Sequence, residues 1–311
     1  MVAKKNEEVS ASFHYLLRQR KNEKKEPVAV PFTLPEFSAL FAKMKAQRPF
    51  DLANDEDIDR LRYRDEAPLE DLTLMDARTI TGTFKVSYWG HAYLNTHKGL
   101  IPSQSVNLRP FHFVLYLSES GKIYIGAQYL GQFGGYEFLR KTISNMLAQS
   151  KEITSMSIRL GSSYYQNAEP REIRVNIANK PSSISRRSAL GGKMMIAFTR
   201  ADKNDPLVER VKTGIIPFFG RGQSAVRQAV AGLMNQSDVI AVNDDDILDC
   251  TVLADMNGKT TTIHMFENGF RATRVTIDVE VDDEGHPSNA ETCNEILNTL
   301  NDHVIKVTEN G

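Results

Sequence analysis

Asp249-Cys250-Thr251-Val252-Leu253-Ala254-Asp255-Met256-Asn257-Gly258-Lys259-Thr260-Thr261-Thr262-Ile263-His264-Met265-Phe266 is the clearest fold signal in the chain. Two alternating runs flank Asn-Gly, the dipeptide that supplies positive φ at both central positions of a type I′ turn, so the segment predicts an antiparallel hairpin. A second Asn-Gly, Asn268-Gly269, leads into residues 270–279 and extends the expectation to a three-stranded meander. Further on, Ser288-Asn289-Ala290-Glu291 has the spacing of a capping box, in which each side chain satisfies the other's orphan N–H. Cys293, Ile296, Leu297, Leu300 and Val304 continue at helical spacing and predict a terminal amphipathic helix.

Upstream the same kinds of signal recur. Val9 to Leu17 reads as a strand running into the basic loop Arg18-Gln19-Arg20-Lys21-Asn22-Glu23-Lys24-Lys25, and residues 27–32 as a short strand. Thr33-Leu34-Pro35-Glu36 starts a helix, because threonine can cap and proline suits a first turn whose N–H is not needed. Phe37, Leu40, Phe41 and Met44 give that helix one buried face. Residues 49–76 are acidic and read as an irregular connection or flap. Residues 79–89 are β-rich, and 106–117 with 122–129 form a hairpin around Glu119-Ser120-Gly121. Gly131-Gln132-Phe133-Gly134-Gly135 breaks the chain before a helix over 136–147, with Phe138, Ile143 and Leu147 inward. Strands mixed with a few helices, without βαβ regularity, predict an α+β fold of mainly antiparallel sheets in two domains, 1–165 and 166–311.

Composition sets outer bounds. A chain of 311 residues that is 41% hydrophobic can bury a core without staples, which excludes disordered and fibrous classes. Its apolar runs are strand-sized, so no direct membrane insertion is expected. Two cysteines, Cys250 and Cys293, and a start without an apolar leader point to a reducing cytoplasm.

The formal net charge of −1 conceals a division. Residues 171–227 hold 12 Lys/Arg against four acids, a net of +8, whereas residues 228–311 hold four against 16, a net of −12. The first 170 residues carry +3. Within the basic stretch, Lys180, Arg186 and Arg187 lie among small hydroxyl residues, a composition suited to phosphate contact. Lys193 lies close by, and Arg221, glycine-flanked, precedes a helix carrying Arg227. A cation at a helix N-terminus joins its charge to exposed N–H groups and the dipole. Arg18, Arg20, Lys21, Lys24 and Lys25 add a second cluster. The competing reading is that these cations pair with the chain's own acidic end, or with a second subunit.

Signatures of catalysis do not emerge. None of the seven histidines stands at zinc spacing, and His91 and His97, which flank a loop, read as backbone-satisfied. Gly191-Gly192-Lys193 resembles the end of a phosphate loop, but Arg187 stands where its first glycine belongs and Met194 replaces the magnesium-binding hydroxyl. Asp244-Asp245-Asp246 with Asp249 could hold a divalent cation, yet three consecutive carboxylates cannot all face inward, and a solvated turn between strands at 239–242 and 247–252 is the plainer reading. No catalytic residue, metal or cofactor is therefore assigned.

The layout resembles the A component of the Rex phage-exclusion system of lambdoid phages. The likeness lies in an early strand ending in a Lys/Arg-rich loop (15–25), a short helix (37–44), a late hairpin (251–266) ending in Glu267-Asn268-Gly269, and a final amphipathic helix (290–304). The resemblance implies a cytoplasmic homodimer that binds double-stranded DNA in antiviral defence, acting with a small membrane-protein partner. It transfers no individual site residue, and residues 49–76 have no counterpart in it. Two readings follow. One is a non-enzymatic, sequence-nonspecific DNA-binding sensor or regulator. The other is a scaffold or inhibitor whose acidic C-terminal face meets a basic protein. A metal-dependent nuclease using Asp244 to Asp249 is the third and weakest.

Overall fold

The structure is a computed structural model that describes residues 8–21, 25–63, 66–147, 152–158, 160, 162–178, 192–219, 222–236, 242–256, 259–266, 274–282, 285–305 and 309. The chain divides into two compact units, Met1–Arg159 with Arg271–Gly311, and Leu160–Phe270. In chain order the first unit carries β1 (Val9–Lys21), β2 (Pro27–Val30), α1 (Leu34–Lys45), α2 (Asp55–Tyr63), β3 (Leu69–Asp76) and β4 (Thr79–Tyr88). It continues with β5 (Tyr93–Asn95), β6 (Gly99–Ile101), β7 (Asn107–Leu117), β8 (Ile123–Leu130), α3 (Tyr136–Met146) and β9 (Ile153–Ser157). The second unit contributes β10 (Glu169–Ala178), β11 (Lys193–Thr199), α4 (Pro206–Gly214), α5 (Gln223–Gln236), β12 (Ile247–Met256) and β13 (Lys259–His264). The chain then returns to the first unit with β14 (Arg274–Thr276) and α6 (Asn289–Thr299), which runs on as a π-helical turn over Leu300–Ile305. The fold is α+β, and its strand pairs are antiparallel.

The first unit is built on the sheet β14-β1-β8-β7-β4-β3, with β2 and β9 also pairing β1. Because side chains alternate across a strand, this sheet is covered twice. Phe13 and Gly126 face α6, where a Cβ on Gly126 would stand 2.2 Å from the Ile296 side chain. On the opposite face His14 stacks on Tyr136 of α3. Both faces of β1 are therefore buried from Val9 to His14, and Phe13, Phe84, Phe111, Phe113 and Tyr124 fill the core. The second unit is the smaller sheet β11-β10-β12-β13, whose β10 alternates Ile173, Val175 and Ile177 inward against exposed Arg171 and Arg174.

Several expectations hold at element level. Thr33 closes a capping box with Glu36, whose carboxylate accepts from the Thr33 N–H at 2.8 Å, and Phe37, Leu40 and Met44 are buried. The hairpins β7–β8 and β12–β13 form as read.

Others need correction. Residues 49–76 are not an irregular flap. Asn54 accepts from the first N–H groups of α2, three acids occupy that helix's first turn, and Arg60 and Arg62 its last, each complementing the helix dipole. Asp57 is fully buried there between Arg48, Arg60 and the Asp51 N–H. The third meander strand does not add to β13: Arg274–Thr276 pairs with β1 in the other unit's sheet, and residues 267–273 lie outside the described set. With that strand the boundary at 165/166 changes, since 271–311 belongs with the first unit. Ser288 caps α6 without a side-chain hydrogen bond, so the expected capping box is not formed. In α3, Leu139 is buried where Phe138 was expected. The strand expected at 239–242 falls largely outside the described residues.

Candidate nucleic-acid interface

The charge division is largely absorbed within one unit. Residues 160–270 hold 13 Lys/Arg against 12 Asp/Glu, a net of +1, so the basic stretch and the acids that follow it share a unit. Some cations are paired directly. Arg200 donates to Asp255 at 2.7 Å, Arg171 stands 3.6 Å from the same carboxylate, and Arg174 pairs with Glu172. The acidic end of the chain is itself split between the units rather than forming one domain's face.

The residues read as DNA ligands meet different fates. Lys24, Lys180, Arg186, Arg187 and Arg221 lie outside the described residues. Arg18 is corrected: it is 8% exposed, with Nη1 2.6 Å from Glu36 Oε1, Nη2 donating to the Pro31 carbonyl at 2.9 Å, and its guanidinium 4.8 Å from the Phe32 ring. It clamps β1 to the start of α1, and its hydrogen bond holds Glu36 down at a pKa of about 2. Arg20 is exposed but paired with Glu152 at 3.2 Å. Lys21 and Lys25 are exposed at the end of the β1–β2 hairpin, and Lys193 at the start of β11. Arg227 is half-buried, 5.8 Å from the Phe266 ring. The structure thus gathers Arg20, Lys21 and Lys25 on one hairpin and leaves Lys193 and Arg227 in the other unit.

A different element carries the most open surface. Between β4 and β7 the chain runs out into a two-stranded ribbon, β5–β6, in which every residue from Trp89 to Leu100 is exposed. Leu94 and Leu100 are cross-strand partners and are 82% and 64% exposed. Asn95 shapes the tip by accepting from the His97 and Lys98 N–H groups at 2.9 and 3.0 Å, and Gly99 follows at φ 74°. An isolated two-stranded ribbon is marginal in water, so its root is tied down. Tyr93 donates to Asn107 Oδ1 at 3.0 Å, the Gly90 N–H donates to the Ser103 carbonyl at 2.8 Å, and Trp89 meets Tyr63 edge-on at 5.7 Å. Residues 77–118, which contain the whole ribbon, include no aspartate or glutamate. His91, His97 and Lys98 are therefore the ribbon's titratable groups beside Tyr93, and all face solvent. Sequence reasoning missed this element; the signal was the 42-residue acid-free run, which counting charge in larger blocks averages away.

At the ribbon's root two guanidinium groups lie against aromatic rings. Arg109 of β7 sits 4.0 Å from the Phe133 centroid and 5.7 Å from that of Tyr88, and Arg274 of β14 sits 4.0 Å from Tyr129. Arg109, Tyr88, Tyr129 and Arg274 share a sheet face by register, because Val86 pairs with Arg109, Asn107 with Tyr88, Tyr129 with Ser10 and Arg274 with Ser12.

The buried reactive groups serve the core. His14 receives or gives hydrogen bonds at Ser12 and Ser157, 3.0 and 3.3 Å away, and burial with Arg140 nearby lowers its pKa to about 3. Burial raises both thiols, Cys293 to about 12. Asp244–Asp246 is a single 3₁₀ turn with Asp246 buried and Asp245 exposed, so its carboxylates diverge. Among the described residues no group of three metal-ligating side chains converges. Nor is any helix among them long and apolar enough to cross a membrane.

Compared with known proteins, the chain matches no family model and no curated sequence.

Proposed function

We propose that this protein is a non-enzymatic, sequence-nonspecific double-stranded-DNA-binding component of antiphage defence or phage exclusion, and that the β5–β6 ribbon is its principal DNA-contacting element. The observation that carries the reading is the exposed, carboxylate-free ribbon. The major groove admits a two-stranded β-ribbon, and an arm without acids approaches a phosphate row without like-charge repulsion. Lys98, His91 and His97 supply donors to phosphate oxygens, and the exposed rings of Trp89 and Tyr93 supply apolar contacts. Lys21 and Lys25 stand at the opposite end of the same sheet, where β1 runs past its pairing with Ile123, and form a separate cationic cluster. The defence role, a homodimeric state and a small membrane-protein partner come from the resemblance to the Rex A component and belong to the same proposal.

The test is a mobility-shift titration on two duplexes of unrelated sequence. Similar affinity for both, with weakening as salt rises, is the expected result, because the energy comes from counterion release. Binding to one duplex alone, or no shift with either at low salt, contradicts the reading. Lys98→Glu is expected to weaken the shift while leaving the melting temperature unchanged, since Lys98 is exposed on the tip.

A further inference from the structure

We propose that Arg109, Tyr88 and the 131–135 loop form a binding site for a phosphate group at the root of the ribbon. The inference deepens the DNA reading above, and its test can fail separately from it. Arg109 Nη1 and the Tyr88 hydroxyl are both buried, and neither has a hydrogen-bond partner. The two orphan donors belong to adjacent side chains, since the Arg109 guanidinium carbon stands 5.7 Å from the centre of the Tyr88 ring. A buried donor without an acceptor is a standing cost that an incoming oxygen removes. Burial raises the Tyr88 pKa, so the hydroxyl keeps its proton and can donate.

The surroundings select the charge of the ligand. The acid-free run 77–118 spans β4 and β7, leaving those strands without a carboxylate to neutralise Arg109. The second guanidinium, Arg274, donates to the Gly131 carbonyl at 3.3 Å and so joins the same loop. Gly134 and Gly135 press that loop onto the sheet: a Cβ at Gly134 would stand 2.0 Å from the Tyr129 ring, and one at Gly135 2.2 Å from Val86. Phe133, 42% exposed, lies over the Arg109 guanidinium and covers it from solvent. An anion reaches the guanidinium by displacing this ring. The planar donor fork of arginine with a phenolic O–H alongside matches the several oxygens of a phosphate better than a single-oxygen acceptor.

The phosphate has two sources with the same chemistry, a phosphodiester of the duplex or a free phosphorylated small molecule. Calorimetric titration of the full chain with inorganic pyrophosphate, beside duplex binding at low salt, separates them. Pyrophosphate binding is expected to weaken at least about tenfold in Arg109→Gln, as loss of a charge-assisted hydrogen bond implies, and by less in Arg109→Lys. Tyr88→Phe removes one hydroxyl and keeps the ring; its expected weakening preserves the test if the Arg109 variants fold poorly by circular dichroism. Parallel loss of duplex binding in these variants assigns the site to a phosphodiester. Unchanged duplex binding with lost pyrophosphate binding assigns it to a free phosphate, and the ribbon reading stands. If Arg109→Gln and Tyr88→Phe match the wild type toward both probes, including by binding neither, the site is overturned.

Discussion

His14 is neutral at physiological pH because a charged imidazole would be buried against Tyr136, with the Arg140 cation nearby. The sign of its pH effect follows. Unfolded, the ring takes a proton near 6.5; folded, only near 3. The unfolded state therefore binds more protons between those values, and stability falls as pH drops through 6.5 toward 3. Between pH 6.5 and about 5.5 His14 sets this loss, with His112 lowered by burial in the same direction, before Glu36, whose unfolded value is 4.5, takes up many protons. Urea unfolding is expected to show His14→Gln flattening the slope in that window by up to about 1.4 kcal/mol per pH unit. Parallel curves for the two proteins would refute it. Gly126 gives a second residue-scale prediction. Its missing Cβ is the space Ile296 occupies, so Gly126→Ala is expected to cost about 1–3 kcal/mol by overpacking. Ile296→Ala removes the Cγ2 methyl that the new Cβ would meet, so the double variant should cost less than the sum of the two single changes. Arg18 marks how far single residues can be read from sequence. A Lys/Arg run announces charge, but only the fold shows that Glu36, eighteen positions on, has turned this arginine inward.

At the scale of elements, legibility followed local chemistry. The α1 start and the β12–β13 and β7–β8 hairpins are specified by residues within a few positions of one another, and each formed as read. Long-range pairing was not legible. Residues 274–276 have the same β-character whether they extend β13 or join β1, and the choice lies with β1's edge, more than two hundred and fifty positions away. The α2 helix was hidden because its first-turn acids look like a solvated charge run until Arg48 and Arg60 are placed around Asp57. The ribbon is the functional counterpart of this lesson. Its exposed apolar residues give no core signal, and its charge is expressed by what the sequence leaves out. Because Tyr93 ties the ribbon to Asn107, Tyr93→Phe is expected to speed amide exchange across β5–β6 and leave β7 protected. Equal loss of protection in β7 would mean that the ribbon is not a separate element.

For the whole molecule, near-neutrality survives division into units. The first unit holds 25 Lys/Arg against 27 Asp/Glu, and the second is +1, so neither is a uniformly basic body. Attraction to a polyanion must then come from local distribution, and the carboxylate-free run through the ribbon and Arg109 is one place where that distribution is uneven. The most direct measurement is duplex affinity by fluorescence anisotropy across a salt series, for wild type and for His91→Gln, His97→Gln, Lys98→Glu combined. Log affinity is predicted to fall linearly with log salt in the wild type, and with a slope shallower by about 0.9 for each phosphate contact the ribbon loses in the variant. Identical affinity and identical slope in the two proteins would contradict the claim that this ribbon meets DNA.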